Sequence, residues 1–379
     1  MRVEFNWHIP CGGDGRWMCT RQPEREPHVE YLVQIARAAE HVGFDGVLVP
    51  CSFSNGSYSL TAPYVDAYTV GLACLAATRR LRVLVAHRPG FINPGVFAQM
   101  CATADDLGSG RLALNIVTAG APGDMEQYGD RLDHDARYRR AAEFVQILRR
   151  LWTEPSTTFD GEFYRMVDAR LAPKPVQPGG PKIFLVGASG AAIEMAARHA
   201  DVYLMSAHTV DNIGRRIAEV RDLARSQGRT LRFGVAGTLF CAETHEQARR
   251  WARNFVERAD LGVVAERTAL GRATTSVEDV RVRAGTNIHT WLTPNLWSGI
   301  AHLTHGTAWV SSYEEITELF CRYAEVGVSL FQLYGYPYLE QAYHVGERLL
   351  PLARQRLAEC GLSSGQLDAA AGGSMLSGT

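Results

Sequence analysis

The sequence predicts an α/β protein, a (β/α)8 TIM barrel with insertions at its C-terminal face. Three observations carry this. Apolar runs of strand length alternate with helical patterns, as in repeated βα units feeding a parallel sheet. There are eight of each. The 379 residues, 46% hydrophobic and 21% charged, suit one large barrel with insertions rather than a disordered or fibrous chain.

In chain order the predicted strands are Arg2–Ile9, Gly46–Pro50, Leu81–His87, Leu112–Val117, Lys182–Val186, Val202–Met205, Leu231–Cys241 and Ser329–Leu333. Helical patterns follow in turn at 28–42, 64–78, 95–107, 136–152, 191–199, 210–227, 245–259 and 313–327. The surplus lies after strands, in Cys11–Glu26, Cys51–Pro63, Ala119–Asp135 and 260–312, where every strand opens onto the face that builds a barrel's active site. Residues 1–360 form a single predicted domain, and the small, polar residues 361–379 predict a disordered tail.

Composition excludes several functions. With 39 basic and 40 acidic residues the net charge is −1, too little for a nucleic-acid footprint. No apolar run reaches the length of a membrane span and no signal peptide opens the chain, so no membrane partner and a cytoplasmic location are the expectations. The eight cysteines never form Cys-x-x-Cys, which fits a reducing compartment and speaks against zinc. His245-Glu246 has Arg249 where a second histidine would stand, and no metal site is predicted. Lys174 and Lys182 are the sole lysines, which argues against a Schiff base or a Gly-Lys-Ser/Thr loop. Neither Gly-x-Ser-x-Gly nor a Gly-x-Gly-x-x-Gly after a strand occurs.

The chemistry-bearing positions stand at strand ends. After the fifth strand, Gly187-Ala188-Ser189-Gly190 precedes a helix, so free N–H groups, a hydroxyl and the helix dipole could cradle a phosphate, or form a plain tight turn. Polar Asn115, in the apolar fourth strand, is a ligand-facing or a satisfied core amide. His87 and Arg88 end the third strand, where His87 could be acid, base or donor. Asp133 is a candidate N-cap, with His134 and Tyr138 on one helix face. Tyr334, Tyr336 and Tyr338 bring three phenols to the rim, where they can pack or line a pocket.

These segments, with Asn6-Trp7-His8-Ile9-Pro10, Gly13-Asp14-Gly15, Leu84-Val85-Ala86-His87-Arg88-Pro89, Asn115-Ile116-Val117-Thr118, Leu132-Asp133-His134-Asp135-Ala136-Arg137-Tyr138, Pro294-Asn295-Leu296-Trp297 and Gly335-Tyr336-Pro337-Tyr338, carry a resemblance. From about residue 3 to 353 the chain resembles the bacterial luciferase-like flavin monooxygenases, in the branch of alkanesulfonate monooxygenase. The resemblance implies an oxidoreductase, a monooxygenase that takes reduced FMN (FMNH2) from a separate NAD(P)H:flavin reductase and uses O2 as cosubstrate on a small molecule. It also implies a homo-oligomer, dimer or tetramer. Carried over, the phosphate would sit on Ser189 and its turn, with Gly187 and Ala188 and with Tyr138 nearby, the isoalloxazine would lie near Asn115, Thr118, Ala86 and His87, and His134 is a further cofactor-binding candidate. His87 and Tyr336 are the catalytic candidates, and Trp7, Arg88, Ser206, Thr238 and Tyr334 the substrate-binding ones. The stretch 260–293 reads as a mobile lid.

The departures lie on the substrate side. Where the resembled enzymes carry an Arg-x-His pair, this chain has Ala236-Gly237-Thr238, and an arginine expected after Asn-Leu-Trp-x-Gly gives way to His302-Leu303-Thr304-His305-Gly306. Ser206 stands near a usual tryptophan, and Tyr64 or Val65 falls where a cysteine is usual. A sulfonate needs charged donors to offset its lost hydration, so an altered pocket is expected, for a secondary-metabolite intermediate or an organosulfur compound. Arg16, Arg88, Arg281 or Arg283 could restore a charge for an anionic substrate. The alternatives are a deazaflavin-dependent oxidoreductase on the same barrel, or a non-catalytic flavin-binding subunit.

Overall fold

The computed structural model describes residues 1–118, 125–272, 287–303 and 306–364. Eight strands form a closed parallel ring: β1 (Arg2–His8), β2 (Gly46–Val49), β3 (Arg82–His87), β4 (Leu112–Ile116), then, past a separate hairpin of β5 (Thr157–Asp160) and β6 (Arg165–Ala169), β7 (Lys182–Val186), β8 (Val202–Ser206), β9 (Arg232–Ala242) and, past β10 (Trp291–Thr293), β11 (Leu296–Trp297) and β12 (Ala308–Ser312), β13 (Val328–Tyr334). β13 returns to β1 through Glu4, Phe5 and Asn6 opposite Leu330, Phe331 and Gln332, which closes the barrel.

Around the ring run α1 (Val29–His41), α2 (Ala67–Ala77), α3 (Pro94–Leu107), α4 (His134–Thr153), α5 (Gly190–His199), α6 (Val210–Arg225), α7 (His245–Glu257), α8 (Leu261–Arg272), α9 (Tyr313–Glu325), α10 (Tyr338–His344) and α11 (Leu350–Glu359). Their starts are written locally. Asp66 accepts from Thr69 N–H at 2.8 Å, Asp133 from Ala136 N–H at 2.7 Å, and Thr244 with Gln247 forms a reciprocal capping box.

Two apolar layers result. Leu48, Leu84, Ala113, Phe184, Val202, Leu204 and Leu330 fill the lumen, while the larger cluster lies between strands and helices. Because strand side chains alternate, the lumen set fixes which residues face inward. Glu4, inside β1, binds Arg82 at 2.9 Å and Arg232 at 3.2 Å and stitches the N-terminal end of the barrel.

The eight predicted strands are the eight of the ring. The helix order differs: the pattern at 313–327 precedes the last strand as α9, and the helix that follows it is the pair α10 and α11 joined by a π-helical turn, Val345–Leu349. Tyr336-Pro337 interrupts the approach to that helix, so periodicity alone did not reveal it. The β5–β6 hairpin and the strands β10 to β12 fall in stretches the sequence left as connections. β9 is unusually placed: Phe233–Thr238 pairs with β13, whereas Thr238–Ala242 pairs with β12, outside the ring.

In the expected lid, α8 and β10 are described, and 273–286, with Arg281 and Arg283, lie outside the described residues. Ser363 and Ser364 form a short strand, β14, beside Arg2 and Val3, and the expected tail from 365 on lies outside the described residues. No described helix is long and apolar enough to cross a membrane.

Candidate active site at the barrel mouth

The strand C-termini gather the predicted positions. Ala86 and Asn115 are register partners on β3 and β4, and both lie at inward positions beside Phe184 of β7. Asn115 is 6% exposed, and its Oδ1 has no hydrogen-bond partner among the described residues; nor has Thr118 Oγ1. Buried polar atoms are almost always satisfied, so these two acceptors mark where a bound molecule or water completes the structure.

The turn after β7 leads directly into the N-terminus of α5. Ser189 caps α5, its Oγ accepting from Ala192 N–H at 3.2 Å. Tyr203 donates its hydroxyl to Gly187 O, and Arg216 Nη1 donates to Ala188 O at 3.2 Å. With those carbonyls tied down and Ala192 N–H taken up by the Ser189 cap, the N–H groups of Gly190 and Ala191 are the donors left at the positive end of the helix. Gly187 sits at φ +152°, and a Cβ there would lie 2.7 Å from Ala192 Cβ and 3.0 Å from the Tyr138 hydroxyl. A Cβ at Gly190, by contrast, would meet open space. Tyr138 thus stands over the turn, with the His134 ring 5.0 Å from its own. His134 Nδ1 pairs with Asp135 at 2.7 Å, while its Nε2 is buried without a partner among the described residues.

Across the mouth, Thr238 and Tyr334 are register partners on β9 and β13, and Ser206 stands opposite Ala236. Thr238 Oγ1 is another buried oxygen without a partner among the described residues. His8, at the end of β1, packs its ring 4.7 Å from that of Tyr334. Burial holds the Tyr334 phenol well above its usual pKa, so it stays a neutral donor. Tyr336 is buried against Phe255 and Tyr338, at ring distances of 5.4 and 5.1 Å.

Arg88 is buried where β3 ends. It donates to Met125 Sδ at 2.6 Å, lies 5.0 Å from the centre of the Phe53 ring and contacts the Cys51 thiol, whose pKa burial raises.

Two predicted residues do not face the mouth. Trp7 lies at an outward position of β1, fully buried against Phe44, with Nε1 donating to Tyr338 O at 3.1 Å. His87 also faces outward, stacked on Phe97 at 3.7 Å and near Phe144 at 5.2 Å. Desolvation lowers its pKa to about 3, so the imidazole is neutral. The inward neighbours of these two, Ala86, Arg88 and His8, hold the mouth instead.

Asp14 is a further residue of this rim, not among the predicted site residues. This buried carboxylate accepts from Tyr31 Oη at 2.5 Å, Gly15 N–H at 2.7 Å and Tyr338 N–H at 2.9 Å, and so pins the Tyr336-Pro337-Tyr338 rim. Its place between two glycines was the available signal. At the opposite end of the barrel, a hollow of 440 Å³ is lined by Arg82, Lys182, Asp201 and Arg232. Both arginines already pair with Glu4, and the end is remote from the strand C-termini. No group of acidic, histidine or cysteine residues among the described residues has the arrangement of a metal site.

Comparison with known proteins gives a family match and the same fold. The family model for luciferase-like monooxygenase matches residues 14–330. Among solved structures, a riboflavin lyase superposes with a TM-score of 0.79 at 20% identity, covering 97% of this chain and 94% of its own. A long-chain alkane monooxygenase gives 0.75 at 19% identity, covering 96% and 92%. An EDTA monooxygenase from Chelativorans sp. BNC1 gives 0.74 at 16%, covering 94% of each. At such identities these likenesses speak to the fold alone.

Proposed function

The chain belongs to the luciferase-like monooxygenase family, and from that membership we propose that it is the oxygenase component of a two-component system that accepts FMNH2 from a separate NAD(P)H:flavin reductase and uses O2 on a small organic substrate. The observation that carries the flavin assignment is the turn at 187–190. A Cβ-free approach at Gly187, the Ser189 cap and the overhanging Tyr138 hydroxyl suit a terminal phosphate. The orphaned Asn115 Oδ1, Thr118 Oγ1 and His134 Nε2 fit a ligand with several polar edges.

FMN, when bound, supplies the oxygen chemistry, and the protein supplies binding, orientation and exclusion of water. In this reading Ser189, the first-turn amides of α5, Tyr138 and His134 hold the phosphate. Asn115 and Thr118 fix the ring edge beside the small Ala86, which leaves room for a flat group. Tyr334 and Thr238 offer a neutral phenol and a hydroxyl to the substrate, with Ser206 and Arg88 at the margins. Tyr336 is the candidate to hold a proton near the reacting atoms. Trp7 and His87 act from behind, fixing the ends of β1 and β3.

The chain stands near the alkanesulfonate monooxygenase branch with an altered pocket. Ala236, Gly237 and Thr238 make room where charged donors would serve a sulfonate, which favours a bulkier or less charged substrate, such as a secondary-metabolite intermediate. A cytoplasmic homo-oligomer, dimer or tetramer, completes the proposal.

Anaerobic titration with FMNH2 tests it. The Ser189→Ala/Tyr138→Phe double variant should bind at least about tenfold more weakly, the effect of roughly 1.4 kcal/mol. Undiminished affinity would sink the cradle. Exclusive binding of a reduced deazaflavin would replace the monooxygenase with a hydride-transferring oxidoreductase, and flavin binding without turnover of any substrate would favour a non-catalytic subunit.

A further inference from the structure

Three aromatic side chains from three separate connections meet above the mouth. Phe53 comes from the long loop after β2, Phe91 from the connection after β3 and Tyr128 from the segment before α4. Tyr128 lies flat on Phe53, with centroids 4.2 Å apart and planes at 19°, and Phe91 meets Phe53 edge-on at 4.7 Å. Arg88 sets its guanidinium 5.0 Å from the centre of the Phe53 ring and is itself only 8% exposed. The result is a π stack backed by a buried cation, and it stays open: Tyr128 is 57% exposed and Phe53 and Phe91 are half-buried.

Large apolar rings left open to water are informative when they cluster at a concave, functional face. Here the cluster stands over Arg88, two residues beyond Ala86 at the end of β3 and so on the side of the barrel where the strand C-termini open. A saturated, flexible molecule would gain little from such rings beyond area burial. A flat conjugated one adds the offset-stacking preference of aromatic pairs, and the rings that receive it are already ordered against each other.

We propose that Phe53, Phe91 and Tyr128 form a stacking platform that receives a planar, conjugated ring system of the substrate, with Tyr128 as its outermost face. The substrate class is therefore aromatic rather than a simple alkane derivative. This deepens the monooxygenase reading and rests on it, because the platform must present the ring beside the flavin.

The probes are 2-naphthoate and its saturated counterpart decahydro-2-naphthoate, titrated calorimetrically into the full chain saturated with FMN. Both carry one carboxylate on the same two-ring carbon skeleton, so charge and carbon count are held constant while the flat π-face is removed. The aromatic probe should bind about fivefold to tenfold more tightly, the range expected for one stacking contact. Tyr128→Leu should abolish that preference, and Tyr128→Phe should keep it. Equal affinities of the two probes, including no binding of either, or a preference that survives Tyr128→Leu, would overturn the platform. FMN affinity is read in the same proteins and should be unchanged in Tyr128→Leu. A drop in FMN affinity there would mean that the coenzyme, not the substrate, uses the platform. Failure of the unsubstituted protein to bind FMN would instead strike the flavin reading, while the probe comparison, repeated without FMN, still reports on the platform.

Discussion

Asp14 and Tyr338 are 324 residues apart in sequence, yet both carboxylate oxygens of the first accept the backbone N–H of the second, at 2.9 and 3.0 Å. The loop that follows β1 thereby fixes the segment that follows β13. Arg25 reinforces the junction by pairing with Glu340, and Tyr31 by donating to Asp14.

We expect that junction to respond to pH. Burial raises the Asp14 pKa from 3.8 to about 6, against the hydrogen bonds that lower it. A carboxyl whose folded value exceeds its unfolded one contributes stability fully below the unfolded value, and loses it as the pH rises through the folded value. We predict that the unfolding free energy of the unsubstituted protein, minus that of Asp14→Asn, falls by up to about 3 kcal/mol between about pH 4 and pH 6.5. Denaturant titrations of the two proteins across that window measure it, and a flat difference counts against the assignment.

His87 gives the opposite sign. Its folded pKa, about 3, lies below the ordinary 6.5, so its stability contribution is present above 6.5 and lost as the pH falls toward 3. His87→Phe, placed between Phe97 and Phe144, should unfold at lower pH than the unsubstituted protein in an acid titration. The turnover profile between about pH 5 and 8 should keep its shape, because the imidazole does not titrate there. A lost pH limb in His87→Phe would return this residue to acid–base work.

Ser189 can be tested without losing its cap. Aspartate caps helices as well as serine does, so Ser189→Asp should melt within a degree or two of the unsubstituted protein, an effect below about 0.5 kcal/mol. It places a negative charge where the phosphate is proposed to sit, and FMN affinity should fall by more than about tenfold, roughly 1.4 kcal/mol. Equal FMN binding by the two proteins would argue against an anion at this turn.

Gly187→Ala asks whether the turn tolerates a side chain. The new methyl would stand 2.7 Å from Ala192 Cβ at a φ of +152°. We expect a loss of about 1–3 kcal/mol in thermal or chemical unfolding, together with weaker FMN binding. A variant as stable as the parent would mean that the turn has another resting shape.

Much of the barrel was readable because all eight ring strands are apolar runs bounded by helical patterns. The side each residue faces was not. In β3, Arg82-Val83-Leu84-Val85-Ala86-His87, five of the six residues are buried and both faces are apolar, so alternation gives no clue that His87 turns to the helices while Ala86 turns inward. Trp7 is the same case on β1. Asp14 was hidden for another reason: its partners lie in Tyr31 and Tyr338, and such long-range pairing leaves no local period. The turn at 187–190 was legible, since glycine, serine and a helix start lie side by side in sequence.

The division of labour along β9 has an evolutionary corollary. Its first half belongs to the ring and its second half pairs with β12, so the described strands β10 to β12 attach to a strand that has already left the wall. Such a graft can be lengthened, shortened or exchanged while the register of the staves stays as it is. Selection could therefore retailor what enters this vessel by working on its spout, without recasting the cup.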